Sequence, residues 1–335
     1  MRQGIIVTIL LGLLAIGCKQ ARKAPDVDHI QVNLQVVRFE QEVFNSPAPT
    51  TEQTIQLLQQ KHGAFVNDYL FNLLALPPAK DSVVKGLELF TAAYKPMFDT
   101  VQKQFTELPL TQLKQGLRYI KYYFPKYTVP TKLYTFIGPM EGYSTVLTTS
   151  GLAVGLQLYL GQQSRFYAND FFKEIYPAYQ SRRFSMDYLA VNCIQNVLED
   201  IHPLNTTGKP LYEQMIEQGK KMYALQMCLP TTPDSIISGY TQRQWEGCEE
   251  HEGTIWAFFV QNDLLYKSDA FLLRDYVNDG PKTEALGEGA PGNIGKYVGF
   301  KIVQRWMEKT NTSSLEKLLY TPAKQIFDEA KYKPK

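Results

Sequence analysis

Apolar positions recur every three or four residues over most of this chain, a spacing that predicts helices. Such patterns cover residues 52–60, 64–76, 97–108 and 110–123, with Leu113, Leu117, Ile120 and Phe124 forming one stripe. Pro77-Pro78 stops the second pattern, and Asp81 or Ser82 is placed to cap a further helix through Val83, Leu87, Leu89 and Phe90. The period shortens to two at Ile30–Phe39, where Val32, Leu34 and Val36 predict an early strand. It shortens again over 132–138, 144–149 and 152–160, with turns at Gly138-Pro139, Glu141-Gly142 and Ser150-Gly151. After Gly161 the helical spacing returns and persists to the C-terminus. There is no internal repeat, low-complexity segment or long linker. The pattern therefore predicts an α+β fold, a mostly helical single body with a small antiparallel sheet.

The first residues follow a different logic. Arg2 precedes an almost wholly apolar run from Ile5 to Ile16. That run is well short of the ~20 residues needed to span a bilayer and has the length of a signal-peptide core. Ala15-Ile16-Gly17 then sets small residues before Cys18, the arrangement of a bacterial lipoprotein signal. The expected organisation is a signal peptide at 1–17, an acylated Cys18 opening a polar tether over 18–28 that carries Pro25, and a folded domain over 29–335. An ordinary cleaved signal peptide is the alternative. Palmitate-type chains contribute about 0.8 kcal/mol per buried methylene, so a multiply acylated Cys18 anchors stably. The expected location is the cell envelope, lipid-anchored and facing the periplasm, with the outer membrane favoured over the inner; Lys19 and Gln20 open no acidic run of the kind that marks surface export.

Composition narrows the function classes. Apolar residues make up 44% and charged residues 20% of 335, which suits a globular body with a sizeable core. A formal net charge of +2 without a clustered basic stripe gives no pull toward nucleic acid. Beyond Cys18 the cysteines are Cys193, Cys228 and Cys248, whose spacing matches no metal knuckle or redox pair. Small buried thiols are expected, with a Cys193–Cys228 bridge as the alternative.

Candidate chemistry is sparse. The helix over Met186–Asp200 and the next one, around Tyr212–Lys220, invite comparison with a zinc peptidase, which needs histidines at i and i+4 with a glutamate base between them. Those slots hold Asn192, Cys193 and Asn196, and Gln218 precedes the glycine of the second helix. The plain alternative is two amphipathic core helices. His29, His62, His202 and His251 form no i, i+3 or i, i+4 pair. Glu246, Glu249 and Glu250 near His251 read as a solvated acidic face, with a divalent-cation site as the sharper alternative. Ser144 lacks the second glycine of a nucleophile elbow, and no phosphate-binding loop occurs.

The most distinctive stretch is Pro291–Val303. Pro291-Gly292 predicts a turn and Asn293 the cap of the following helix. Gly295 and Gly299 then lie one turn apart beside an apolar stripe of Ile294, Val298, Ile302 and Trp306. Each glycine costs roughly 1 kcal/mol in a helix interior, so another helix is expected to pack at very close range. Upstream, Asn278-Asp279-Gly280-Pro281 is a strong turn signal, and Glu252 and Trp256 fall one helical turn apart, the tryptophan in or beside the core with Phe258 and Phe259.

Taken in order, these residues resemble the gliding-motility lipoprotein GldB family of Bacteroidota. The resemblance covers nearly the whole chain after Cys18. It rests on Val37-Arg38-Phe39-Glu40 with Phe44, Tyr123-Phe124-Pro125, Leu156 to Gly161, Pro177 and Tyr179 ahead of Arg183-Phe184, and Gly239-Tyr240-Thr241. It is sharpest at Glu252 with Ile255-Trp256, at Asn278–Pro281, at Pro291–Val303 and at Tyr332-Lys333-Pro334. Gln157 and Gln218 stand where the family pattern has acidic residues. The resemblance implies a membrane-anchored, non-catalytic accessory of gliding and its linked secretion machinery, working with other envelope proteins and no cofactor. It also implies a distant likeness to zincin-type peptidases without the metal. Glu252, Trp256, Asn278, Asp279, Pro291, Gly295, Gly299 and Trp306 become candidate structural or interaction residues, and Cys18 the lipidation site. An envelope metallopeptidase-like hydrolase and a ligand-binding lipoprotein are the alternatives.

Overall fold

A four-stranded sheet divides the fold into two unequal halves. The computed structural model describes residues 24–312 and 314–334, so the signal segment and Cys18 lie outside the described residues. β1 (Gln35–Arg38), β2 (Lys132–Phe136), β3 (Thr145–Thr148) and β4 (Gly151–Gly155) run in the order β1-β2-β4-β3. The expected antiparallel sheet is in fact mixed: β1, β2 and β4 are parallel, and only β3 runs against β4. The reason is the connections. β1 and β2 are joined by a long helical crossover, which permits parallel pairing. The 137–144 segment then carries the chain past the slot that β4 fills, which leaves β3 at the edge.

Both faces of the sheet are covered, so β2 and β4 are buried on both sides. Leu133, Leu152 and Val154 point into the larger core, and Tyr134, Phe136 and Ala153 into the smaller one. The smaller core is closed by α1 (Phe39–Phe44), α2 (Thr51–His62), α3 (Ala64–Asn67) and the start of α4 (Lys80–Gln104). There Phe39 meets Phe65 and Tyr69 edge-on at 5.0 Å each. α3 continues as a π-helical turn over Asp68–Leu73, so helix ends before Pro77 as expected but by a wider turn. α4 absorbs two expected helices into one that passes through Pro96, and its N-cap is Ala79 rather than Asp81 or Ser82. The early strand is shorter than its alternating pattern, because only 35–38 finds a partner in β2. The expected tether also ends early. Val27 is buried and Tyr119 donates to the Pro25 carbonyl at 3.1 Å, so the chain is docked from about residue 25 onward.

The larger half follows as α5 (Thr111–Tyr123), α6 (Asp170–Ile175), α7 (Ala178–Ser181), α8 (Leu189–Ile201), α9 (Leu211–Cys228), α10 (Asp234–Ser238), α11 (Gln242–Glu250), α12 (Glu252–Gln261), α13 (Ala270–Val277), α14 (Ile294–Thr310), α15 (Leu315–Tyr320) and α16 (Ala323–Ala330). α9 is the central helix, packed by α5, α8, α10, α13, α14, α15 and α16. Burial on all sides forces its polar residues to find partners. Lys220 Nζ donates to Glu217 at 3.0 Å and to the Thr321 carbonyl at 2.7 Å, and Gln226 donates to Asp234 at 2.7 Å. Cys193, Cys228 and Cys248 are free and buried, so the Cys193–Cys228 bridge does not form.

Candidate functional site

The glycine strip of α14 lies against α9. A Cβ on Gly299 would sit 1.6 Å from the Met215 carbonyl oxygen, and one on Gly219 would sit 2.2 Å from the Gly299 carbonyl carbon. Gly295 faces the Tyr276 carbonyl, which its Cβ would approach to 2.7 Å. The close helix crossing expected from Gly295 and Gly299 is therefore present. Its third member, Gly219, carried no signal in the sequence beyond being one glycine in a helix. Trp306, two turns further along α14, is buried and donates from Nε1 to Glu329 at 2.7 Å.

Glu252 and Trp256 form a second station, on α12. The chain breaks at His251, so the acidic run divides between two helices. Glu246, Glu249 and Glu250 stay on the exposed surface, while Glu252 turns inward. Glu252 accepts from Tyr332 at 2.6 Å and pairs with Lys301 at 3.0 Å, and Tyr297 adds a bond at 3.3 Å. Trp256 meets the Tyr332 ring edge-on at 5.1 Å. Together they fasten the C-terminal segment to the body. Burial, and then the neighbouring Glu252, push the Tyr297 and Tyr332 hydroxyls far above the usual tyrosine range.

Asn278, Asp279 and Pro291 all belong to the segment that joins α13 to α14. The Thr283 hydroxyl donates to the Pro291 carbonyl at 2.7 Å, and Gly292 lies so close to Gly280 that a Cβ would come within 2.2 Å of its oxygen. These contacts set the segment between α13 and α14 against the rim of a cleft of about 450 Å³. The expected cap at Asn293 is not made. Its backbone is left-handed at φ 53°, its side chain caps nothing, and its buried Oδ1 has no partner. The Tyr240 hydroxyl instead holds the Asn293 carbonyl at 2.7 Å.

Arg183 reaches the cleft and pairs with Asp279, and Arg182 donates to the Gly239 carbonyl. Gly239 has the left-handed φ of 74° that favours glycine, and a Cβ there would come within 3.2 Å of the Arg183 guanidinium. Lys296 Nζ donates to the Ser238 carbonyl and lies 5.3 Å from the Tyr240 ring centre. Burial first, then repulsion by Arg183, lower its pKa to about 8. Lys221 is bound to the Leu198 and His202 carbonyls and to Glu199. Arg183, Lys221 and Lys296 come from separate segments with no local pattern, which is why the sequence did not single them out as a site.

The helices compared with a zinc peptidase use their polar residues structurally. Asn192 Nδ2 donates to the Tyr159 hydroxyl at 2.8 Å, and Asn196 Nδ2 to the Asn192 carbonyl at 2.9 Å. Cys193 is fully buried, with its thiol pushed far up by burial. Gln218 donates to the Val277 carbonyl at 2.9 Å, and Gln157 accepts from the Gly138 amide at 3.1 Å. Among the described residues, no group of three or more His, Cys, Asp or Glu side chains is placed to hold a metal ion. No helix among them is long and apolar enough to cross a membrane.

No curated protein and no solved structure matches the chain significantly. A family model described as gliding motility protein GldB matches residues 20–334, nearly the whole length, and the chain therefore belongs to the GldB family.

Proposed function

We propose that this protein is a non-catalytic accessory of the gliding machinery and its linked secretion apparatus, held to the envelope by an acylated Cys18. The body faces the periplasm, the outer membrane is the favoured surface, and the targets are other envelope proteins. The family membership supports the link to gliding motility. The sequence before Cys18 supports the anchor. The observation that carries the non-catalytic part is on α8, where the Asn192 amide donates to the Tyr159 hydroxyl, the Asn196 amide to the Asn192 backbone carbonyl, and Cys193 is sealed in the core. A general base or nucleophile needs a side chain within reach of substrate. An asparagine amide is not a general base, and the Cys193 thiol is withdrawn into the core.

Cross-linking in intact envelopes followed by affinity capture of the full chain tests this reading. The expected result is a defined set of envelope proteins, recovered with the wild type and lost with Cys18→Ala. Turnover of any peptide by the purified full chain, abolished by one substitution within residues 186–220, would overturn it.

A further inference from the structure

We propose that the exposed face of α5 rests on the bilayer to which Cys18 is held, and that it meets anionic phospholipid headgroups there. The inference rests on the acylation of Cys18 and adds which side of the body faces the lipid. Reach is the first constraint. Residues 25–31 are pinned to α5: the Pro25 carbonyl accepts from Tyr119 at 3.1 Å, Asp28 pairs with Arg118 at 3.3 Å, and the Gln31 carbonyl accepts from Lys121 at 2.9 Å. Only residues 19–24 separate Cys18 from Pro25. Even fully extended, that length of chain spans at most about 25 Å, so the acyl chains hold Pro25 and the adjoining side of α5 within that distance of the headgroups.

Charge is the second constraint. Residues 108–140 hold Lys114, Arg118, Lys121, Lys126 and Lys132 and no acid. Lys114, Arg118 and Lys121 follow at i, i+4 and i+7, which sets them on one side of the helix. Asp28 neutralises Arg118, whereas Lys114, Lys121 and Lys126 are exposed and make no ion pair among the described residues. Tyr122 stands beside them 45% exposed, an aromatic ring with a polar tip that suits the headgroup level. Lys19, Arg22 and Lys23 add bases between Cys18 and the docked segment, where Asp26 is the acid left without a basic partner. The net charge of +2 hides this face, because its bases are spread along the sequence and only the turn of the helix aligns them. An anionic surface attracts bases within a Debye length of about 8–10 Å, and each one there strengthens attachment roughly fivefold. The acyl chains hold the body in any orientation, and the basic face within their reach turns α5 toward the lipid. An acidic protein would also suit the lysines, but the short tether already brings the bilayer to this side.

Lysine footprinting on vesicles tests the proposal. Protein purified from envelopes is inserted into preformed vesicles of phosphatidylcholine, alone or with about one third phosphatidylglycerol, then labelled with a membrane-impermeant acetylating reagent and mapped by mass spectrometry. The expected result is labelling of Lys114, Lys121 and Lys126 at least about threefold slower on the anionic vesicles, restored by about 0.5 M salt. Lys85, on the part of α4 that closes the smaller core, lies across the sheet from α5 and keeps its rate. The double variant Lys114→Glu/Lys126→Glu changes two exposed positions and loses the protection of Lys121. Equal labelling on the two vesicles, protection that extends to Lys85, protection indifferent to salt, or protection of Lys121 kept by the folded double variant would each overturn the proposal. Co-sedimentation with the uncharged vesicles reports the acyl anchor on the same samples, so its failure is read apart from that of the α5 face.

Discussion

Gly219 and Gly299 meet backbone to backbone, so close that a single Cβ on either residue would overlap the opposite main chain. This contact seats α14 against the central helix, and α14 in turn carries Lys296 at one end and Trp306 at the other. Overpacking a tight core costs about 1–3 kcal/mol, and here the clash is with backbone, which cannot rotate away. Gly299→Leu is expected to destabilise by more than about 3 kcal/mol. A thermal midpoint equal to that of the wild type would show that this face of α14 is open.

Trp306 is the large apolar anchor of the same helix, and its indole N–H is satisfied by Glu329 on α16. Trp306→Ala removes both, at about 3–5 kcal/mol. Trp306→Phe keeps most of the volume and loses only the bond to the exposed Glu329, so it is expected to cost less than the alanine variant. Denaturant melts of the two variants should rank them in that order.

Glu252 joins the C-terminal segment to α12 and α14 through Tyr332, Tyr297 and Lys301. Glu252→Gln keeps the shape and removes the charge. The expected outcome is faster tryptic cleavage after Lys331 with a near-normal global melt, since the loss is local. Unchanged cleavage at Lys331 would show that the Trp256–Tyr332 contact alone holds the segment.

Lys296 gives a pH signature. Its pKa falls from the usual lysine range to about 8 on folding, so between about 8 and 10 the unfolded chain binds more protons than the folded one. Its charge therefore costs stability in full below pH 8, and that cost is relieved as the pH rises through the window. The charged groups facing it are Arg182, Arg183 and Asp279, beside the Tyr240 ring. Lys296→Met removes the cost at every pH. The melting difference between variant and wild type should be largest near pH 7 and shrink toward pH 10. A difference independent of pH would mean that Lys296 is solvated in the folded protein.

Local pattern carried part of this structure. Glycines at helical spacing announced a close crossing because a helix interior disfavours glycine unless something needs the space. The cysteines read as buried thiols because no spacing linked them. Long-range features were less legible. β3 ends at the sheet edge because β4 takes the slot beside β2, a choice of pairing that no strand encodes by itself. Asn293 looked like a cap by residue type, yet its left-handed backbone points the amide elsewhere. The cleft was the least legible feature, since Arg183, Lys221, Asp279 and Lys296 lie on four segments that only the packing of α8, α9 and α14 brings together.

Attachment through Cys18 is the claim on which the proposed role most depends. Two or more acyl chains suffice for stable anchoring, and the described residues contain no membrane-spanning helix that would replace them. The direct measurement is metabolic palmitate labelling with membrane fractionation of wild type and Cys18→Ala. The account predicts a labelled wild type in the membrane fraction and an unlabelled, folded Cys18→Ala released from it. A Cys18→Ala protein that stays with the membrane would contradict the account.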